Sequence, residues 1–139
     1  MTSKLNAAAL CAAAIMGAAA WGCGGSDEDK VAETVETYMT GLADGDGDQA
    51  CDQLTGDAKR ALVDQIATNL PEIDSISCPE VLEQLSGVLG EDEKGQMRDL
   101  EVTATVDGDT ATATVEGGTS DVELTKVDGK WLISGGFEF

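Results

Sequence analysis

The stretch whose reading decides the fold is DLEVTATVDGDTATATVEGGTSDVELTKVDGKWLISGGFEF, Asp99–Phe139. Three glycine-containing pairs punctuate it: Asp107-Gly108, Gly117-Gly118 and Asp128-Gly129. Gly and Asp tolerate the positive φ that a two-residue hairpin turn demands. Three such turns predict a four-stranded antiparallel meander and set its register. Ala104 then faces Ala111, Val102 faces Ala113 and Leu100 faces Val115. Across the second turn Ala113 faces Val122 and Ala111 faces Leu124. Across the third, Leu124 faces Ile133 and Lys126 faces Trp131. All of these residues share one face. The other face collects Glu101, Thr103, Thr105, Thr112, Thr114, Asp121, Glu123, Thr125 and Ser134, with Leu132 as its one large apolar residue. A slip of one residue at any turn would send a strand's apolar set to the wrong side. The consistent sorting across three turns therefore argues for the sheet. One apolar and one threonine-rich face suit an antiparallel sheet wetted on one side.

The upstream chain reads as helices made to cover the apolar face. Ser26 can cap a first helix, with Asp27, Glu28 and Asp29 well placed for its dipole. Val31, Val35, Tyr38, Met39 and Leu42 recur at helical spacing, and Gly45 can end the run. A short helix carries Ala50, Cys51 and Leu54. Thr55 can cap a third through Ala58, Leu62, Val63, Ile66 and Leu70, which Pro71 stops. Pro79, just after Cys78, suits the start of a fourth, with Val81, Leu82, Leu85, Val88 and Leu89 as its stripe. Gly90 to Gly95 reads as a charged loop into the sheet. The expected fold class is α+β, with three to four N-terminal helices packed on one face of a four-stranded antiparallel meander sheet.

Composition narrows compartment and partners. The 139 residues suggest one domain. Acidic residues outnumber basic ones 27 to 8, there is no histidine, and the formal net charge is −19. Such a surface repels nucleic-acid phosphates and anionic lipid alike. Residues 1–22 hold no acid and one base, Lys4. The 14 residues Ala7–Ala20 are almost wholly apolar, too few to span a bilayer but right for a signal-peptide core. The next residues, Ala20-Trp21-Gly22-Cys23, resemble a bacterial lipobox, in which the cysteine is lipidated and becomes the mature N-terminus. Ala20 and Trp21 depart from its usual Leu and small residue. Ordinary cleavage after Ala18-Ala19-Ala20 and simple secretion are the alternative. Expected boundaries are a signal peptide at 1–22, the lipidated Cys23 with its tether at 23–25, and the domain at 26–139. The chain would then sit on the outer face of the cell membrane, anchored by lipid. That leaves Cys51 and Cys78 as an even pair in an oxidising compartment, where they are expected to bridge.

Asp44, Asp46 and Asp48 alternate like the start of a calcium loop. An EF-hand would need Gly sixth and Glu twelfth, where Gln49 and Thr55 stand. The plainer reading is an acidic helix connection with Asp48 as the next cap, and cation binding there stays open. Two cysteines without histidine make no zinc shell, so no metal or cofactor is expected.

Helices followed by a meander, with the entry Gly45-Asp46-Gly47-Asp48-Gln49-Ala50-Cys51, the junction Leu54-Thr55-Gly56-Asp57-Ala58 and the ending Val127-Asp128-Gly129-Lys130-Trp131-Leu132-Ile133, resemble the NTF2-like superfamily. This is also called the SnoaL-like or cystatin-like α+β cone. The closer likeness is to its small secreted actinobacterial lipoproteins. The resemblance covers most of residues 26–139 and rests on soft patterns without a catalytic signature. It implies a cone that holds a ligand or, in isomerase- and cyclase-like members, an acid or base inside. Here the expected inner face offers aliphatic side chains and Trp131, none able to move a proton, and Asp109, Ser120 and Lys126 fall at strand ends.

The expected function is therefore a non-catalytic envelope lipoprotein that binds a small apolar ligand or an envelope protein. An isomerase or cyclase with a carboxylate base on a helix, and a purely structural accessory domain, are the alternatives. Tyr38, Ala104, Ala111, Ala113 and Trp131 are the expected pocket lining. Trp131 is expected to face the helices beside the Lys126 stem, with Tyr38 and Met39 as neighbours. Mass spectrometry of the mature protein should find a lipid-modified N-terminus at Cys23; unmodified protein beginning at Trp21 would contradict it.

Overall fold

The computed structural model describes residues 26–69, 71, 77–118 and 120–136. The expected signal segment, Cys23 and its expected tether lie outside the described residues. The fold is α+β. Helices α1 (Asp27–Asp44), α2 (Gly47–Cys51), α3 (Gly56–Asn69), α4 (Cys78–Val88) and α5 (Glu91–Arg98) precede strands β1 (Val102–Asp107), β2 (Thr110–Val115), β3 (Asp121–Val127) and β4 (Lys130–Gly135). The strands form one open antiparallel sheet in sequence order.

The second and third hairpins take the expected register. Ala113 pairs with Val122, Leu124 with Ile133 and Lys126 with Trp131. The first hairpin differs. Ala104 pairs with Ala113 and Val102 with Val115, so β1 has slid by two residues from the expected pairing. The turn is Gly108-Asp109, with φ +65° at Gly108, and not Asp107-Gly108. Glycine at the first central position spares an aspartate the left-handed region. The slide also adds Val106 opposite Ala111 to the apolar face. A two-residue shift preserves which face each side chain meets, so the sorting survives. In the third turn, by contrast, Asp128 and Gly129 both take positive φ, at 52° and 81°. This is the primed geometry that matches strand twist.

The inner face is buried from β2 to β4 at Ala111, Ala113, Val115, Val122, Leu124, Trp131 and Ile133. On edge strand β1, Val102, Ala104 and Val106 are only half-buried. Helix α1 packs on β1, β2 and β4 and touches α2, α4 and α5. Its stripe of Val31, Val35, Tyr38 and Leu42 is buried, with Met39 partly so. Ser26 and Asp29 close a reciprocal capping box on its first turn, with both bonds at 3.2 Å. Gly45 ends it at φ +73°. Trp131 faces the helices at 2% exposure, whereas Leu132 is half-buried on the other side.

Four local expectations are corrected. Asp46, not Asp48, caps α2, accepting from the Gln49 N–H at 3.0 Å. Leu54 lies beyond α2, in a parallel bridge to Ile133. There the Thr55 N–H donates to the Ile133 carbonyl at 2.9 Å, and the Ile133 N–H to the Gln53 carbonyl at 2.7 Å. This strap covers the β4 edge, which would otherwise offer unpaired backbone groups. The charged segment after Gly90 is not a loop but α5, giving five helices among the described residues instead of three to four. Three acids in its first turn and Arg98 in its last complement the helix dipole. Val88, assigned to the stripe of α4, is exposed.

Cys51 and Cys78 are bridged, with Cα atoms 6.1 Å apart. The bond ties the end of α2 to the start of α4. The backbones meet closely there: a Cβ on Gly47 would collide with the Pro79 carbonyl. Only glycine fits at that crossing. Closing a loop of about 28 residues lowers unfolded-chain entropy by roughly 3.6 kcal/mol in the chain-entropy model. Cys51→Ser should therefore lower the unfolding free energy by about 2–5 kcal/mol in denaturant titration; unchanged stability would contradict a structural role for the bridge.

Candidate functional site

A groove lies between α5 and the β2–β3 end of the sheet. The groove there encloses about 430 Å³. Met39 comes from α1, Leu89 from the link after α4, and Met97 from α5; Leu100, Val115 and Val122 complete an apolar lining. Val115 and Val122 are buried and form the floor. Glu93, Gln96, Glu116 and Ser120 are its polar side chains. A second, shallower groove continues from it and shares Gln96, Leu100 and Glu116. Its walls carry Glu91, Asp92, Asp99, Glu101 and Glu116, with no lysine or arginine among them. Lys94 offsets Glu91 from nearby, at 3.8 Å.

The electrostatics of the rim centre on Glu116. Its N–H donates to the Glu101 carbonyl at 2.9 Å, extending the β1–β2 ladder past the last strand pair. That sets two acidic side chains against each other, an arrangement that destabilises a sheet. A hydrogen bond that the protonated Glu116 carboxyl donates to Glu101, then the Glu101 charge and a small desolvation, all push the Glu116 carboxyl above its ordinary pKa. Burial pushes the Tyr38 hydroxyl up, so it stays protonated at neutral pH.

The expected pocket residues do not come together around this groove. Tyr38 and Ala113 are buried core, and Ala104 is half-buried in β1. Ala111 edges a depression of about 520 Å³ on the outer face, and Trp131 another of about 390 Å³ beside Thr34 and Lys130. Trp131 instead anchors the first turn of α1. Its indole N–H points at the Asp27 carboxylate at 3.4 Å, and the Lys126 ammonium lies 5.5 Å from the ring centroid. Lys126 also pairs with Asp27 at 3.6 Å. The Thr34 hydroxyl lies 3.3 Å from the Trp131 carbonyl. The helix-facing orientation and the neighbouring Lys126 were legible in the register; Asp27 as the indole's acceptor was not.

The groove itself was missed because Gly90–Gly95 read as a loop. A signal existed: Leu89, Glu93, Gln96, Met97 and Leu100 recur at helical spacing across that segment. The three alternating aspartates have ordinary partners or none near a metal shell. Arg98 grips Asp44 at 2.8 Å and Asp46 caps α2. Among the described residues no group of three or more His, Cys, Asp and Glu could hold a metal ion. Among them, too, no helix is long and apolar enough to cross a membrane. No family model matches the chain, and neither a curated protein nor a solved structure does.

A raised folded-state pKa means that protonation of Glu116 stabilises the fold. That contribution is full below the unfolded pKa and is lost as pH rises through the folded value. Glu116→Gln should therefore gain stability relative to the parent as pH rises from the ordinary carboxylate range to neutral. Parallel thermal-melting curves against pH would contradict this.

Proposed function

We propose that this chain is an envelope-anchored lipoprotein, attached through Cys23, whose NTF2-like α+β domain binds and does not catalyse. Its occupant is a small apolar molecule in the groove between α5 and the β2–β3 end of the sheet, or a partner protein docked there. The groove's apolar lining carries this reading. About 430 Å³ lies within the range of roughly 300–1,000 Å³ typical of small-molecule pockets. Met39 and Met97 supply flexible, polarizable walls that adapt to irregular apolar shapes. The Cys51–Cys78 bridge suits the oxidising side of a membrane, where a processed lipoprotein would face.

A second reading, proton transfer by Glu116, draws on its raised proton affinity at the groove wall. Two features weigh against it. Glu116 is exposed, whereas a tuned catalytic carboxylate is shielded from water. Among the described residues, Gln96 and Ser120 are the uncharged side chains in the lining able to donate to a developing oxyanion, and neither is buried.

The binding reading predicts that a neutral apolar dye such as Nile red brightens on the folded protein and saturates at one equivalent. Met97→Glu, with unchanged circular dichroism, should abolish the signal. A folded protein that leaves the dye dark would overturn the small-molecule reading.

A further inference from the structure

The groove has an asymmetric chemistry. Its floor and one wall are apolar, through Met39, Met97, Leu100, Val115 and Val122. One side opens onto the acidic extension, and Glu116 belongs to both. There Glu101 and Glu116 oppose each other across the ends of β1 and β2. Among the described residues, no cationic side chain lines either compartment. Elsewhere Asp27 lies beside Lys126 and Lys30, Asp44 beside Arg98, Asp57 beside Arg60 and, on the wall of the acidic extension, Glu91 beside Lys94. The sequence thus leaves a like-charge pair uncompensated by lysine or arginine at the mouth of an apolar groove. A fatty acid or other anionic amphiphile would bring its head into that field and be repelled.

We propose that the groove takes a cationic amphiphile: an organic amine whose apolar body lies on the methionine-lined floor and whose protonated head sits between Glu101 and Glu116. The small-molecule reading of the groove is the premise, and charge complementarity selects the ligand class. The ammonium would donate to both carboxylates and relieve their mutual repulsion, and amphiphile length would set how much of the floor is covered. Each exposed ion pair adds little by itself, so two carboxylates together should tighten binding of the charged head by about threefold or more over an uncharged one.

The test uses the disulfide-bonded protein and four probes that share a decyl chain, below their micellar concentrations: decyltrimethylammonium, decylamine, decanol and decyl sulfate. Affinities come from displacement of Nile red. The two cations should bind about threefold or more tightly than decanol, with decylamine, which can donate N–H bonds, at least equal to the quaternary ion, and decyl sulfate weakest. Because a protein of net charge −19 attracts any cation, a charge-matched control is needed. Glu101→Gln with Glu116→Gln should bring the amine affinity down to that of decanol and leave decanol unchanged. Asp64→Asn with Glu83→Gln, exposed acids of α3 and α4 outside the groove, should leave the amine preference intact. Equal loss in both double variants would show diffuse attraction and overturn the proposal. Equal affinity of amine and decanol for the parent protein would overturn it too, while sparing the apolar-ligand reading. If no probe displaces the dye and the dye itself does not bind, both fail.

Discussion

The structure depends on burying one face of a four-stranded meander, chiefly under helix α1, with α3 against β4. Trp131 is the largest side chain in that interface and almost fully enclosed. An indole buries roughly 150–250 Å² and brings a donor that wants a partner. Asp27 supplies it from the first turn of α1, where a carboxylate also complements the helix dipole. Lys126 completes the cluster from β3, over the ring and against the same carboxylate. One strand pair is thereby locked to the start of α1, and the rest of its buried stripe follows down the sheet.

At the far end of α1 the constraints are covalent and steric. Gly45 turns the chain, Gly47 lets α2 press against the Pro79 backbone, and the Cys51–Cys78 bridge fixes that crossing. With α4 held there, α5 is carried out over the end of the sheet, and Arg98 ties it back to Asp44 at the end of α1. The groove is what remains between α5 and the β2–β3 connection. It sits away from the fully packed centre of the sheet, and its charged rim comes from strand ends and from α5.

Much of the fold could be read from residues 99–139 because hairpins are local. Alternation and turn glycines set which face each residue meets, and a two-residue slide at Gly108-Asp109 left that assignment intact. The slide escaped the reading because Asp-Gly and Gly-Asp are both legitimate turn centres, and the choice depended on placing Val106 opposite Ala111. The strap of Leu54 on Ile133 escaped it because it is a long-range pairing of one residue. Helix α5 escaped it because glycines at 90 and 95 mimic loop boundaries, while its stability comes from capping and from a partner 54 positions away. The disulfide was legible by arithmetic, since two of four cysteines fall in or beside the expected signal segment. The groove was not legible, because it is assembled by the one helix that went unread.

The central claim is the inward orientation of Trp131, since the acid-free inner face follows from the same register. In a chain processed at Cys23, Trp131 is the sole tryptophan, because Trp21 is removed. Acrylamide quenching of its fluorescence therefore reports one site. The account predicts blue-shifted emission and a quenching constant far below that of free indole, rising to the free value only on unfolding. Emission and quenching like those of free indole in the folded protein would place Trp131 in solvent, and the register with everything built on it would be wrong.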